Sequence, residues 1–109
     1  IDPQYASVPV LKSTFPMGSM TGAPKYAAMK IIEELEETKR GVYSGAVGYF
    51  TPNGNFDFNV VIRSILYNKE AQFVSFSVGS AITSLSIPEN EYEECLLKAK
   101  AMHEVLQQQ

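Results

Sequence analysis

The chain has 109 residues, 45% of them apolar and 11% aromatic, which is the size and composition of one small folded domain rather than a disordered tail. A formal charge of −3, with acidic and basic side chains interleaved, argues against a nucleic-acid footprint, and no apolar run approaches the length needed to span a bilayer. The single cysteine, Cys95, excludes an internal disulfide framework, reads as an inert thiol on an apolar helical position, and fits a reducing, cytoplasmic setting. The chain opens on Ile1 with no basic or apolar leader pattern, so it reads as a piece of a longer protein in preference to a processed product.

Residues 1–14 carry Pro3 and Pro9 without a sustained period and read as an irregular or short-strand lead-in. The next eleven residues, Phe15 to Lys25, concentrate two glycines, two prolines and two hydroxyls directly before a helical repeat. Pro16 and Pro24 restrict φ while Gly18 and Gly22 allow positive φ or close backbone approach, so this stretch reads as a shaped loop ending on a helix N-terminus. The bland alternative is a tight turn capped by Ser19 or Thr21. It is not a nucleotide P-loop, because Ala23 and Pro24 separate Gly22 from Lys25.

From Lys25 the apolar positions Ala28, Ile31, Ile32 and Leu35 follow helical spacing, predicting an amphipathic helix of about four turns that stops at Gly41. Glu36 and Arg40 are spaced to pair, and Lys39 and Arg40 would complement the helix end. Val42 to Phe50 is strand-rich and interrupted by Gly45 and Gly48, which suggests a bulge or a close approach of ligand or backbone. The Asn53-Gly54 signal predicts a hairpin into a long strand from Phe56 to Tyr67, and a second turn at Asn68-Lys69-Glu70 leads to a third strand, Phe73 to Val78. The expected class is therefore α+β, an antiparallel meander flanked by two amphipathic helices.

Arg63 interrupts the apolar run of the long strand, and a covered guanidinium needs an anionic partner, either Asp57 or another acid of the protein, or a ligand. Gly79-Ser80-Ala81 ends the third strand in a turn able to present consecutive N–H groups to an anion. Ser86-Ile87-Pro88-Glu89 has capping-box spacing and opens the last helix, with Tyr92, Cys95, Leu96, Ala99, Met102 and Leu106 as its apolar stripe. Glu91 and Glu94 lie at i and i+3, with Lys98 one turn further. Such a pair either forms a solvated, dipole-complementing face or holds a hard divalent ion together with substrate oxygens. His103 reads as structural or exposed, and the Gln107-Gln108-Gln109 end as frayed.

Taken in order, Phe15-Pro16-x-Gly18-Ser19-x-Thr21-Gly22-Ala23-Pro24-Lys25, Arg40-Gly41, Gly45-Ala46-Val47-Gly48-Tyr49-Phe50, Ile62-Arg63-Ser64 and Glu91-Tyr92-Glu93-Glu94 with Lys98-Ala99 resemble the C-terminal part of the chorismate-utilising enzymes. That family includes component I of aminodeoxychorismate synthase and of anthranilate synthase, and the Gly-Ser-x-Thr-Gly-Ala-Pro-Lys form is nearer the former. The resemblance implies that residues 15–109 are the C-terminal portion of a chorismate-binding domain, a fragment of a larger two-sheet fold whose N-terminal remainder lies upstream. It implies Mg²⁺-dependent amination of chorismate with ammonia from a glutamine amidotransferase subunit or domain. Arg63 and Tyr49 would hold a substrate carboxylate with the amides of Gly79, Ser80 and Ala81; Glu91 and Glu94 would hold Mg²⁺; Lys98 would be the catalytic group beside the substrate, and Ser19 would line the pocket. Ala81 stands where the family usually has a third glycine, and Leu85 and Ile87 where it commonly has acidic residues. A non-catalytic ligand-binding or interaction module is the alternative of another class, and the fragment alone is expected to be inactive, with apolar surface exposed.

Overall fold

The computed structural model describes residues 6–107. The elements run α1 (Ser7–Thr14), α2 (Gly18–Thr21), α3 (Lys25–Leu35), β1 (Ala46–Phe50), β2 (Phe56–Val60), β3 (Ile65–Asn68), β4 (Phe73–Phe76) and α4 (Pro88–Gln107). The class is α+β, as expected, but the chain divides into two compact units at the Val60–Val61 junction rather than forming one. Correspondingly, β1 pairs with β2 and β3 with β4 in two separate two-stranded antiparallel sheets.

In the first unit, residues 7–14 form a helix where the sequence reads as irregular; residues 1–5 of the expected lead-in lie outside the described residues. The short α2 and the start of α3 follow, with Gly22 between them at φ 142° and its absent Cβ position 3.0 Å from the Ala28 methyl. That contact lets the turn close onto α3. Helix α3 ends at Leu35, well short of Gly41. Glu33, Glu34, Glu36 and Glu37 crowd its C-terminal end with negative charge, opposing both the helix dipole and one another. Gly41, at φ 60°, instead opens the turn that leads into β1. The expected Glu36–Arg40 pair does form, at 2.5 Å, although it lies beyond the helix.

The β1–β2 register sets Ala46 opposite Val60, Gly48 opposite Phe58, and Phe50 opposite Phe56. These positions share one face, and Phe50, Phe56 and Phe58 cluster there with ring centroids 5.4–6.0 Å apart. Leu11, Thr14, Phe15 and Met17 come over this face around a cavity of about 230 Å³. The hairpin closes as the Asn-Gly signal predicts: Thr51 N–H donates to Asn55 O at 2.8 Å and Gly54 adopts φ 86°.

The long second strand is broken. Residues 61–64 leave the ladder, Arg63 takes φ 50°, and the Ser64 hydroxyl turns back to Ile62 O at 2.9 Å. A left-handed backbone angle is incompatible with an extended ladder, so the single predicted meander becomes two hairpins. In the second unit β3 and β4 pair with Ile65 opposite Phe76 and Asn68 opposite Phe73. The Asn68 side chain accepts from Ala71 N–H at 3.0 Å and organises the connecting turn. Helix α4 begins with Pro88 in its first turn, a position where the missing N–H costs nothing. Ser86 does not cap it as predicted; its hydroxyl accepts from Thr83 N–H at 3.0 Å, shaping the preceding loop instead. His103 stacks edge-on against Phe76 at 5.1 Å, a structural contact in keeping with its expected role.

Val61, at 6% exposure, is the one buried apolar side chain among the described residues. Leu85 and Ile82 are 91% and 73% exposed, and large apolar side chains are open to solvent in both units. Uncovered apolar surface of this extent is what the sequence predicts for a fragment.

Two expectations follow for stability. A Cβ on Gly48 would lie 2.2 Å from Asp57 O and 2.5 Å from the Phe58 ring, so Gly48→Ala should cost about 1–3 kcal/mol through backbone displacement, read as a drop in thermal midpoint. The Arg40 guanidinium, chiefly by hydrogen bonding, holds the Glu36 carboxyl below the usual glutamate range. A depressed carboxyl stabilises the fold above its unfolded-state value and loses that contribution as pH falls through its folded value. Acid titration should therefore melt wild type progressively below the usual glutamate range, and Glu36→Gln should flatten that limb.

Candidate functional site

Seven of the nine residues that the sequence nominates lie in the second unit: Arg63, Gly79, Ser80, Ala81, Glu91, Glu94 and Lys98. Ser19 and Tyr49 lie in the first. In the second unit the loop after β4 and the first turns of α4 come together through side chains. The Ser80 hydroxyl donates to Glu91 Oε2. Lys98 Nζ donates to the Gly79 carbonyl at 2.9 Å and forms an ion pair with Glu94 Oε1 at 2.5 Å.

This arrangement follows from helical spacing. Glu91, Cys95, Lys98, Ala99, Met102 and Leu106 are half-buried and recur on one face of α4, so the inward face is not purely apolar: a carboxylate and an ammonium sit in line with the hydrophobes. Tyr92 and Leu96, expected in the apolar stripe, are 65% and 52% exposed instead. Glu94 lies on the exposed edge of that face. Its carboxyl is held below the usual range, first by the Lys98 hydrogen bond and charge, with the Ser80 hydroxyl adding to the effect. Ser80 thus bonds Glu91 and adds to the lowering at Glu94. A concavity of about 240 Å³ opens beside them, lined by Ser80, Ile82, Pro88, Glu91, Tyr92 and Cys95.

Glu91 and Glu94 supply hard oxygen donors one turn apart, the chemistry that suits a Mg²⁺ completing its shell with substrate oxygens and water. Among the described residues no group of three or more His, Cys, Asp or Glu gathers to hold a metal, so this pair is a partial donor set. The Gly79–Ala81 amides donate to no acceptor among the described residues, which leaves three consecutive donors available at the loop.

Arg63 differs most from its predicted setting. It stands in the break between β2 and β3, exposed rather than covered. No hydrogen bond or ion pair engages its guanidinium among the described residues. A charged fork with five donors is thus held at an unusual backbone angle.

In the first unit Tyr49 occupies the exposed face of β1 opposite Asp57, and Ser19 is exposed on α2. Within this unit, no hydrogen bond joins the two among the described residues. Two further cations act there through contacts that no local pattern signals. Lys25 Nζ donates to Pro16 O at 3.0 Å, and Arg40 Nη1 donates to Met20 O at 2.7 Å. Both tie down carbonyls of the Phe15–Lys25 stretch. In the second unit the part played by the Ser80 side chain, as opposed to its amide, is likewise absent from the sequence reading. No helix among the described residues is long and apolar enough to cross a membrane.

Residues 1–104 match the family described as chorismate binding enzyme. Among similar proteins, a probable chloroplastic aminodeoxychorismate synthase of Oryza sativa subsp. japonica is 52% identical over 102 residues, 93% of this chain and 11% of that protein. Anthranilate synthase component 1 of Aquifex aeolicus is 46% identical over 103 residues, covering 94% of this chain and 20% of that protein. Aminodeoxychorismate synthase component 1 of Bacillus subtilis is 43% identical over 103 residues, covering 94% and 22%. The chain therefore spans between a tenth and a quarter of the length of these relatives. With its ordered motifs and nearly its whole length accounted for, the chain belongs to the chorismate binding enzyme family.

Proposed function

We propose that the protein carrying this chain is an aminodeoxychorismate synthase component I-type enzyme, aminating chorismate to 4-amino-4-deoxychorismate with ammonia from a glutamine amidotransferase partner. The observation that carries this reading is the joining of Glu91, Ser80, Glu94, Lys98 and Gly79 into one network around a small concavity, in a chain of this family.

Chorismate carries two carboxylates, and the chain offers anion-binding groups of two kinds. Arg63 presents an unpartnered guanidinium for a bidentate carboxylate contact. The Gly79–Ala81 amides offer neutral donors, and Lys98 holds their loop to α4 through the Gly79 carbonyl. On this reading Tyr49 would contribute a hydroxyl donor to a substrate carboxylate and Ser19 would line the pocket. Glu91 and Glu94 would hold Mg²⁺, oriented by Ser80 in the way that outer-shell hydroxyls fix ligating carboxylates. A bound Mg²⁺ would neutralise a substrate carboxylate and stabilise charge on the departing ring hydroxyl. Lys98, paired with Glu94, orients that carboxylate and keeps it charged, and on this reading it acts beside the substrate.

Anthranilate formation is the second reading, favoured by the 46% identity to the Aquifex aeolicus component 1. Incubating the full-length protein with an amidotransferase, glutamine, chorismate and Mg²⁺, and separating products chromatographically, decides between them. Aminodeoxychorismate is expected; anthranilate would select the second reading, and no chorismate consumption would reject both in favour of a non-catalytic module.

Arg63→Ala should raise the KM for chorismate on the order of 10–100-fold, the loss of a charge-assisted contact. Glu91→Gln should abolish most turnover, and Ser80→Ala should weaken Mg²⁺ binding by about tenfold in a metal titration. Wild-type turnover in Arg63→Ala and Glu91→Gln would contradict the site assignment.

A further inference from the structure

The geometry points to Arg40 as a positioning residue that holds the contour of the Gly18–Thr21 turn, and with it Ser19, through the Met20 carbonyl. The inference deepens the proposed function, on which the relevance of Ser19 to chorismate rests. Arg40 uses its fork on three segments at once. Nη1 donates to Met20 O at 2.7 Å and to Ser44 Oγ at 3.2 Å, while Nε donates to Glu36 Oε2 at 2.8 Å and Nη2 pairs with Glu36 Oε1 at 2.5 Å.

Met20 lies in a four-residue helix, whose last carbonyls have no intrahelical partner and need an outside donor. The guanidinium supplies that donor from twenty residues downstream, with its side chain only 26% exposed. Glu36 aims it bidentately from beyond the end of α3, and Ser44, at φ 62°, belongs to the turn that feeds β1. Arg40 therefore couples the turn bearing Ser19 to the turn that leads to Tyr49. A lysine cannot satisfy a carboxylate bidentately and a carbonyl in the same pose, because its ammonium lacks the planar fork.

The test uses the full-length protein and two readouts. Without substrate, hydrogen exchange over residues 17–25 should accelerate on the order of tenfold in Arg40→Met and by less in Arg40→Lys, as expected for loss of a charge-assisted hydrogen bond. With substrate, the KM for chorismate should rise by a similar factor while kcat stays within about twofold, and Arg40→Lys should partly restore it. A folded Arg40→Met protein with unchanged exchange over 17–25, or with faster exchange and unchanged KM, overturns the inference. If Arg40→Met does not fold, Glu36→Gln, which keeps the guanidinium but weakens its anchor, must still raise exchange and KM severalfold; unchanged values overturn it equally. Absence of chorismate turnover in wild type would defeat the functional reading, and exchange alone would then decide the role of Arg40.

Discussion

A cationic side chain donating to a main-chain carbonyl of a glycine-bordered loop recurs three times among the described residues, and the local architecture of both units depends on it. Lys25 holds Pro16 O, Arg40 holds Met20 O, and Lys98 holds Gly79 O. Loops and short helices leave carbonyls without regular partners, and a charged donor satisfies them more strongly than a neutral one. Each cation also carries the loop to a more regular element: Lys25 and Lys98 sit on helices, and Arg40 is fixed by Glu36. The glycines permit the loop contours; the cations select one.

The same logic separates the two halves of the candidate site. In the second unit the Lys98–Gly79 contact brings the loop after β4 against α4, and that placement lets Ser80 reach Glu91. Once Glu91 occupies the half-buried face of α4, the hydroxyl offsets part of the cost of covering a carboxylate, and Glu94 is kept charged by Lys98. Arg63 stands apart from this network at a left-handed angle with its donors open. In the first unit the aromatic cluster over Gly48 sets β1, and Tyr49 projects from the opposite face because successive strand residues alternate.

Large exposed apolar side chains, Leu85 and Leu97 among them, accompany a core in which Val61 alone is buried among the described apolar residues. Two-stranded sheets are marginal by themselves, since each leaves a face to be covered by something else. In a chain that spans 11–22% of the length of the relatives described above, the local hydrogen-bond devices assume a correspondingly larger share of the order that is present.

The α+β class, the helix after Pro24, the Asn53-Gly54 hairpin, the Glu36–Arg40 pair and the spacing of Glu91, Glu94 and Lys98 were legible in the sequence, because each depends on residues within a few positions of one another. The ordered motifs likewise pointed to the family that the matching residues establish. Local pattern misjudged the end of α3, where accumulated carboxylates override amphipathic spacing, and the continuity of the strand through Arg63, where strand-forming neighbours conceal a left-handed residue. Tertiary structure alone decided which carbonyls Arg40 and Lys98 grip and that Ser80 turns its hydroxyl to Glu91. Those contacts join residues eleven to twenty positions apart, and a backbone carbonyl is the same acceptor at every residue, so no side-chain identity announces which one a distant cation will meet.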